Sequence, residues 1–287
     1  MELALDSSAL TEIFGLPPSD RDAVIAGLRT IGRIRITTVN ILEAAGHQSE
    51  TARGQKLRWY RELTGEVNPL DAPNELLEKT ATAHHERRAG VSLGSQHAMQ
   101  LLHEPDLLTP DLIDESFAWN QERRYSFKNM HEELRTTYQA HFKNIPGDRA
   151  SNARDLITYF CERLDTYLDM LIIPAYQRAS GSTISRDEAR TFMANCDAWR
   201  IYWAARVHAL YMRSIQTAGY SDRKNAGITD MESSIYLAFI DYFVTADRKQ
   251  YDALRDLNAF TSRDTAITWY DDLRRAFLLQ PGTMGMP

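Results

Sequence analysis

Cysteine is almost missing: the chain has 287 residues and two cysteines, Cys161 and Cys196, with no CxxC pair. A disulfide framework and a thiolate zinc site are therefore excluded, and a reduced, cytoplasmic protein is expected. Long apolar runs are missing too. The most apolar short piece, 171–175, is broken by Pro174 and falls far below the ~18 residues of a membrane span, so no membrane partner is expected. A basic excess is lacking, since 33 Lys plus Arg face 39 Asp plus Glu for a formal net charge of -6. That excludes a broad polybasic surface but permits a local basic groove. The opening Met1 to Asp6 has no basic segment and meets an acid at once, unlike a secretory leader. No internal repeat and no low-complexity tract is found. What remains is 43% hydrophobic and 25% charged, an ordinary globular composition.

The order of elements is more informative. Leu3 to Leu5 reads as a short strand, followed by a helix over 9–14 and the Pro17-Pro18 break. A helix capped by Asp20 covers about 21–31, with Val24, Ile25, Leu28 and Ile31 on one stripe. Arg33 to Thr38 alternates and is β-branched, so a second strand is predicted there, running into a helix from Val39. Strand, helix, strand, helix is the order of a parallel α/β sheet. From about Gly90 to Asn225 no strand is predicted. Helical stretches fall at 113–142, 153–171 and 185–217, with joints at Pro146-Gly147 and 180–182. Strand character returns near the end: a compact helix from Ile228-Thr-Asp230 to Phe239, a strand at 242–245, a helix over 248–254, a last strand at 259–261 and a closing helix over 264–277. This gives a discontinuous α/β domain, 1–89 and 226–279, an all-α insertion subdomain, 90–225, and a tail, 280–287.

Carboxylates fall at corresponding places along this order. Asp6 follows the first strand, and Glu43 lies in the first turns of the helix after the second. Asp230 opens the helix before the third strand, and Asp247 follows that strand. Residues beyond the carboxyl ends of parallel strands gather along one sheet edge, where open α/β folds place their sites. Acids brought together repel unless a cation or proton is shared, and hard oxygen donors suit Mg2+ or Mn2+. An ion so held can orient water and neutralise a phosphodiester.

These segments carry a resemblance. Leu3-Ala-Leu-Asp6-Ser-Ser-Ala-Leu resembles the opening of PIN-domain nucleases, the group that includes VapC-type toxins. Ile36-Thr-Thr-Val-Asn-Ile-Leu-Glu43 is similar to their second acidic motif. Asp230 to Asp247, with its Thr245-Ala-Asp247 ending, is similar to the third and fourth, and is the most specific piece. The resemblance covers roughly 1–85 and 226–277. It implies a PIN-like three-layer domain with a central, mostly parallel sheet, and a Mg2+- or Mn2+-dependent endonuclease acting on RNA, with DNA as the alternative. It further implies that Asp6, Glu43, Asp230 and Asp247 bind the metal, that Ser7, Asn40 and Thr245 support them, and that the chain acts as a toxin or defence effector restrained by an antitoxin-like protein. Self-association stays open.

Each signal has a plainer account. Asp6, Asp230 and Asp247 suit helix N-caps. Asp241 begins the strand that Asp247 follows, about 20 Å away, and cannot share its ion. Glu232 points to another side of its helix than Asp230. His84-His85, beside Arg87 and Arg88, suits a solvated face. Tyr202, Arg206 and Arg213 are candidate nucleic-acid contacts, as is the cluster of Trp119, Arg123, Arg124, Tyr125 and Lys128; the favoured account of the Trp199/Trp203 helix is core with surface ion pairs. Two other functions compete with the nuclease. One is a degenerate scaffold whose helical insertion binds a protein or RNA. The other is a phosphatase-like hydrolase, disfavoured because Ser7 and Ser8, not an Asp-x-Asp pair, follow the first strand.

Overall fold

The computed structural model describes residues 1–47, 49–103, 113, 114, 116, 118, 145, 151–212 and 231–279. Asp230, Arg213, the Trp119 to Lys128 cluster, the Pro146-Gly147 joint, most of the 113–142 stretch and the tail 280–287 lie outside the described residues. Among the described residues the chain is mostly helical around one small sheet of four parallel strands, β1 (Glu2–Leu5), β2 (Arg33–Arg35), β3 (Tyr242–Thr245) and β4 (Ala266–Trp269), in the order β2-β1-β3-β4. An α/β fold is what the strand–helix alternation predicts. No helix among these residues is long and apolar enough to cross a membrane.

Both sheet faces are buried, and period-two alternation decides which side chain goes where. On one face Leu3, Leu5, Ile34 and Val244 pack with helices α1 (Ser7–Phe14), α2 (Pro18–Ile31), α3 (Thr38–Ala45) and α4 (Glu50–Thr64). The closing helix 270–279 joins them. Its Phe277 ring lies on Gly27 so closely that a methyl group there would overlap it. On the other face Ala4 and Phe243 meet α5 (Pro73–His85) and the helices of the middle segment. α6 (Gln96–His103) packs on the first face; those on the second are α7 (Ala153–Glu162), α8 (Leu164–Tyr167), a π-helical turn (Leu168–Ile172), α9 (Ile173–Ser180), α10 (Arg186–Asn195) and α11 (Asp197–Leu210). The middle segment thus shares one hydrophobic cluster with a sheet face.

α11 is largely buried: Ala198, Trp199, Ile201, Trp203, Ala204 and Val207 are core, while Asp197, Arg200, Tyr202 and Arg206 stay partly exposed. The buried Trp199 indole N–H donates to Leu77 O and Thr80 Oγ1 at 3.2 and 3.1 Å. His84 is likewise structural, its Nδ1 2.9 Å from the Tyr176 hydroxyl.

Several boundaries differ from the sequence expectation. The second strand stops at Arg35, because Thr37 leaves the sheet to cap α3 in a reciprocal capping box with Asn40. Over its described residues the predicted 185–217 helix is two helices, interrupted at Cys196. The compact element before β3 is a 3-10 helix (Ser233–Ala238). No strand forms at 259–261: α12 (Arg248–Asn258) continues into a turn closed by Phe260 N–H to Leu257 O, 2.9 Å. The last strand is instead Ala266–Trp269, taken from the start of the predicted closing helix, and α13 (Tyr270–Leu279) follows. Its β-branched and aromatic residues Ile267, Thr268 and Trp269 suit a pleated surface better than a helix. Thr265 anchors its start, its hydroxyl within 2.8 and 2.9 Å of Leu237 O and Ile240 O.

His208 on α11 is 4% exposed, and burial pushes its pKa down to about 4. The Asp256 carboxylate lies 3.9 Å from its Nε2, but burial raises Asp256 as well, so desolvation opposes charge on both. Below pH 6.5 the unfolded chain takes up a proton that the native His208 refuses. This contribution to stability is therefore fully present above that pH and is lost as pH drops towards 4, on the order of 2–3 kcal/mol by pH 4.5. Urea unfolding at pH 7 and 4.5 should show this extra loss in the wild type and not in His208→Gln; equal losses would place a charged imidazole in the fold.

Candidate active site

The strand order reverses beside β1: β2 lies on one side of it, and β3 and β4 on the other. Such a switch point opens a crevice at the carboxyl ends of the strands. Here the crevice is a cavity of about 200 Å3 whose walls include Asp6, Ser7, Asn40, Glu43, Ser233, Tyr236, Asp247 and Gln250. Three carboxylates from three separate segments therefore meet in one place. Asp6 is supplied by the end of β1, Glu43 by the second turn of α3, and Asp247 by the loop after β3.

Local chemistry fixes each of them. Asp6 is the N-cap of α1: its Oδ1 accepts from Ala9 N–H at 2.8 Å. Its Oδ2 lies 2.8 Å from Thr245 Oγ1 and 2.8 Å from Ser8 Oγ, so the carboxylate ties β1 to β3. Ser8 extends the tie by accepting from Ala246 N–H at 2.9 Å. Asp247 caps α12, its Oδ1 accepting from the N–H groups of Lys249 and Gln250 at 2.8 and 3.2 Å. Glu43 accepts from Ser7 Oγ, which in turn accepts from Asn40 Nδ2 at 2.9 Å. Asn40 is held by Thr37, whose N–H and hydroxyl both donate to Asn40 Oδ1, at 2.9 and 2.8 Å. A chain of hydrogen bonds thus runs from the α3 cap to the Glu43 carboxylate. Burial raises the pKa of the Tyr60 phenol nearby, and the charges of Glu43 and Asp6 push it in the same direction, so Tyr60 stays protonated.

Of the residues singled out from the sequence, Asp6, Glu43 and Asp247 line the cavity with Ser7 and Asn40, and Thr245 lies fully buried behind Asp6. Asp230 is outside the described residues. Tyr202 and Arg206 line a different cavity of about 90 Å3 among the helices, where the Arg206 guanidinium donates to the Tyr202 hydroxyl. Asp241 sits at the other end of β3, accepting from Glu2 N–H and Arg263 at 2.7 and 2.6 Å; Arg263 beside it holds its carboxyl below the usual range. Five polar residues of the site escaped the sequence reading. Ser8 and Thr37 had a signal in the Asp-Ser-Ser run and the Thr-x-x-Asn capping pattern; Ser233, Tyr236 and Gln250 had none.

Among the described residues, no group of three or more Asp, Glu, His or Cys side chains stands close enough to hold one ion. Each of the three acids accepts hydrogen bonds, Asp6 and Asp247 from helix N–H groups and Glu43 from Ser7. The donor set still suits Mg2+ or Mn2+: all three acids offer hard oxygens to one cavity, and such ions take one or two carboxylates and complete their shell with water or phosphate. The chain matches no protein-family model, no curated protein and no solved structure.

Thr245 Oγ1 stands 2.8 Å from both Asp6 Oδ2 and Gln250 Oε1, and with one proton it donates to one of them at a time. It also accepts from Asp247 N–H at 2.9 Å. Thr245→Val keeps the shape but strands these buried groups, an expected loss of about 1–3 kcal/mol. Urea midpoints report it, and a variant as stable as the wild type would show that the hydroxyl holds nothing.

Proposed function

We propose that the chain is a PIN-like, Mg2+- or Mn2+-dependent nuclease, with RNA as its expected substrate. The observation that carries this reading is the convergence of Asp6, Glu43 and Asp247, from positions far apart in sequence, on one cavity at the switch point of a parallel sheet. Asp230 completes the acidic set implied by the sequence resemblance. In this reading the ion would be held by one or two of Asp6, Glu43 and Asp247, with water or phosphate completing its shell. Once bound, the ion supplies Lewis-acid chemistry and lowers the pKa of water. Ser7 and Thr245 keep the Glu43 and Asp6 oxygens aimed into the cavity, and Asn40 fixes the Ser7 hydroxyl. A non-catalytic scaffold would use Asp6 and Asp247 only as helix caps, so the two readings part on whether negative charge matters.

Asparagine caps a helix about as well as aspartate but lacks the charge. Asp6→Asn and Asp247→Asn should therefore stay folded while Mn2+-dependent cleavage of labelled RNA or DNA falls by at least about a hundredfold, the scale on which metal-site electrostatics act. Chelator should stop the wild type in the same assay. Cleavage at wild-type rates by both folded variants would leave the acids as caps alone.

A further inference from the structure

The cavity has a neighbour that no part of the nuclease reading uses. Trp269 ends β4 and is the register partner of Thr245 at the end of β3, one strand spacing (about 5 Å) away. Tyr251 follows Gln250 on α12, and its ring centroid lies 6.0 Å from that of Trp269 with the planes at 71°. Arg248, next in the chain to Asp247, sets its guanidinium over both rings, 5.1 Å from the Tyr251 centroid and 5.8 Å from that of Trp269. Arg255 stands 5.6 Å from the Tyr251 centroid. Arg248, Tyr251 and Arg255 share one helical stripe. Both arginines are exposed and both rings half-exposed, whereas Trp199, Trp203 and Phe192 are buried in the core.

Half-exposed rings beside guanidinium groups suit a ligand with flat faces and regularly spaced negative charge. A single-stranded nucleic acid has both, because its bases are free to stack and its phosphates pair with arginine. A duplex keeps its base faces inside. The acids next door repel a polyanion, and the net charge of -6 gives no general attraction, so local arginines are what offset the repulsion. Arg248 pairs with Asp252 at 3.2 Å, but both side chains are more than half exposed, and such a pair is weak enough to exchange for phosphate.

We propose that Arg248, Tyr251 and Trp269 form a platform on which a single-stranded nucleic acid stacks as its backbone enters the acidic cavity. The proposal rests on the nuclease reading and narrows its substrate class. The test is anisotropy with the full chain in EDTA, using fluorescein-labelled oligouridylate, its deoxy counterpart and a duplex, with Mn2+-dependent cleavage measured separately. A single strand should bind more tightly than the duplex, and the RNA and DNA arms show which strand is preferred. Tyr251→Ala and Trp269→Ala should each weaken binding about tenfold, within the range of base–aromatic stacking. Trp269→Phe, which keeps a ring in the strand, should retain most of the affinity, and Arg248→Gln, a surface change, should weaken binding and flatten its salt dependence by about 0.7 in slope. Wild-type affinity in Tyr251→Ala and Arg248→Gln, or a preference for duplex, overturns the platform. Binding is read without metal, so the two ideas fail separately. Weakened binding in the variants of a chain that never cleaves upholds the platform and removes the nuclease reading; unchanged binding in variants of a chain that does cleave removes the platform alone.

Discussion

Negative charge gathered at the junction of β1 and β3 is the constraint around which the molecule is arranged. Asp6 and Asp247 stand on the two strands that flank the crevice, with Glu43 contributed across it. Held apart from water, such a group is unstable unless each charge finds a positive partner. The fold supplies it from the backbone: α1 and α12 both begin at the crevice, and their first N–H groups point at Asp6 and Asp247. Each helix thereby directs the positive end of its dipole at the acids. The Thr245 hydroxyl then bonds across from β3 to Asp6, so the charged edge is also a seam of the sheet.

The helices of the middle segment matter to this edge through the 3-10 helix. α11, largely buried, packs on Ser233–Ala238, which presents Ser233 and Tyr236 to the cavity wall. Tyr236 is pinned at its far end by donation to Asp71 O at 3.1 Å, and the buried Asp71 carboxylate pairs with Lys79 at 2.8 Å on α5. The wall opposite the acids is thus set by contacts distant from it in sequence. Removing the helical layer would uncover Phe243 and Ala4 on the sheet as well as loosen this wall.

Much of this architecture was legible from pattern alone. β1 and β3 announce themselves as short apolar runs ended by Asp6 and by Thr245-Ala-Asp247, and the caps that stop them are the acids. The last strand is expected at 259–261 because Phe260 and Thr261 also suit a pleated surface, and what excludes that stretch is tertiary. Only Ala266 to Trp269 can pair with β3 in register while Thr265 reaches Leu237 O. Gln250 was invisible for the same kind of reason. It is an ordinary polar residue in a first helical turn until β3 brings Thr245 within 2.8 Å. The 3-10 winding before β3 likewise answers to packing against α11 rather than to composition.

Capping and ion binding look like rival explanations for the same aspartates, yet on the nuclease reading proposed above one would support the other. The helix N–H groups take Oδ1 of Asp247, and a carboxylate has two oxygens with about four acceptor positions in all. A capped aspartate has its side-chain torsions fixed, so its second oxygen points in one direction at little further entropic loss. At Asp247 the cap takes Oδ1, whereas at Asp6 both oxygens already accept, Oδ1 from Ala9 N–H and Oδ2 from Ser8 and Thr245. On the nuclease reading proposed above, such a cap would double as a ligand arm. That is why sequence pattern alone could not separate the two roles: both ask for the same residue at the same place.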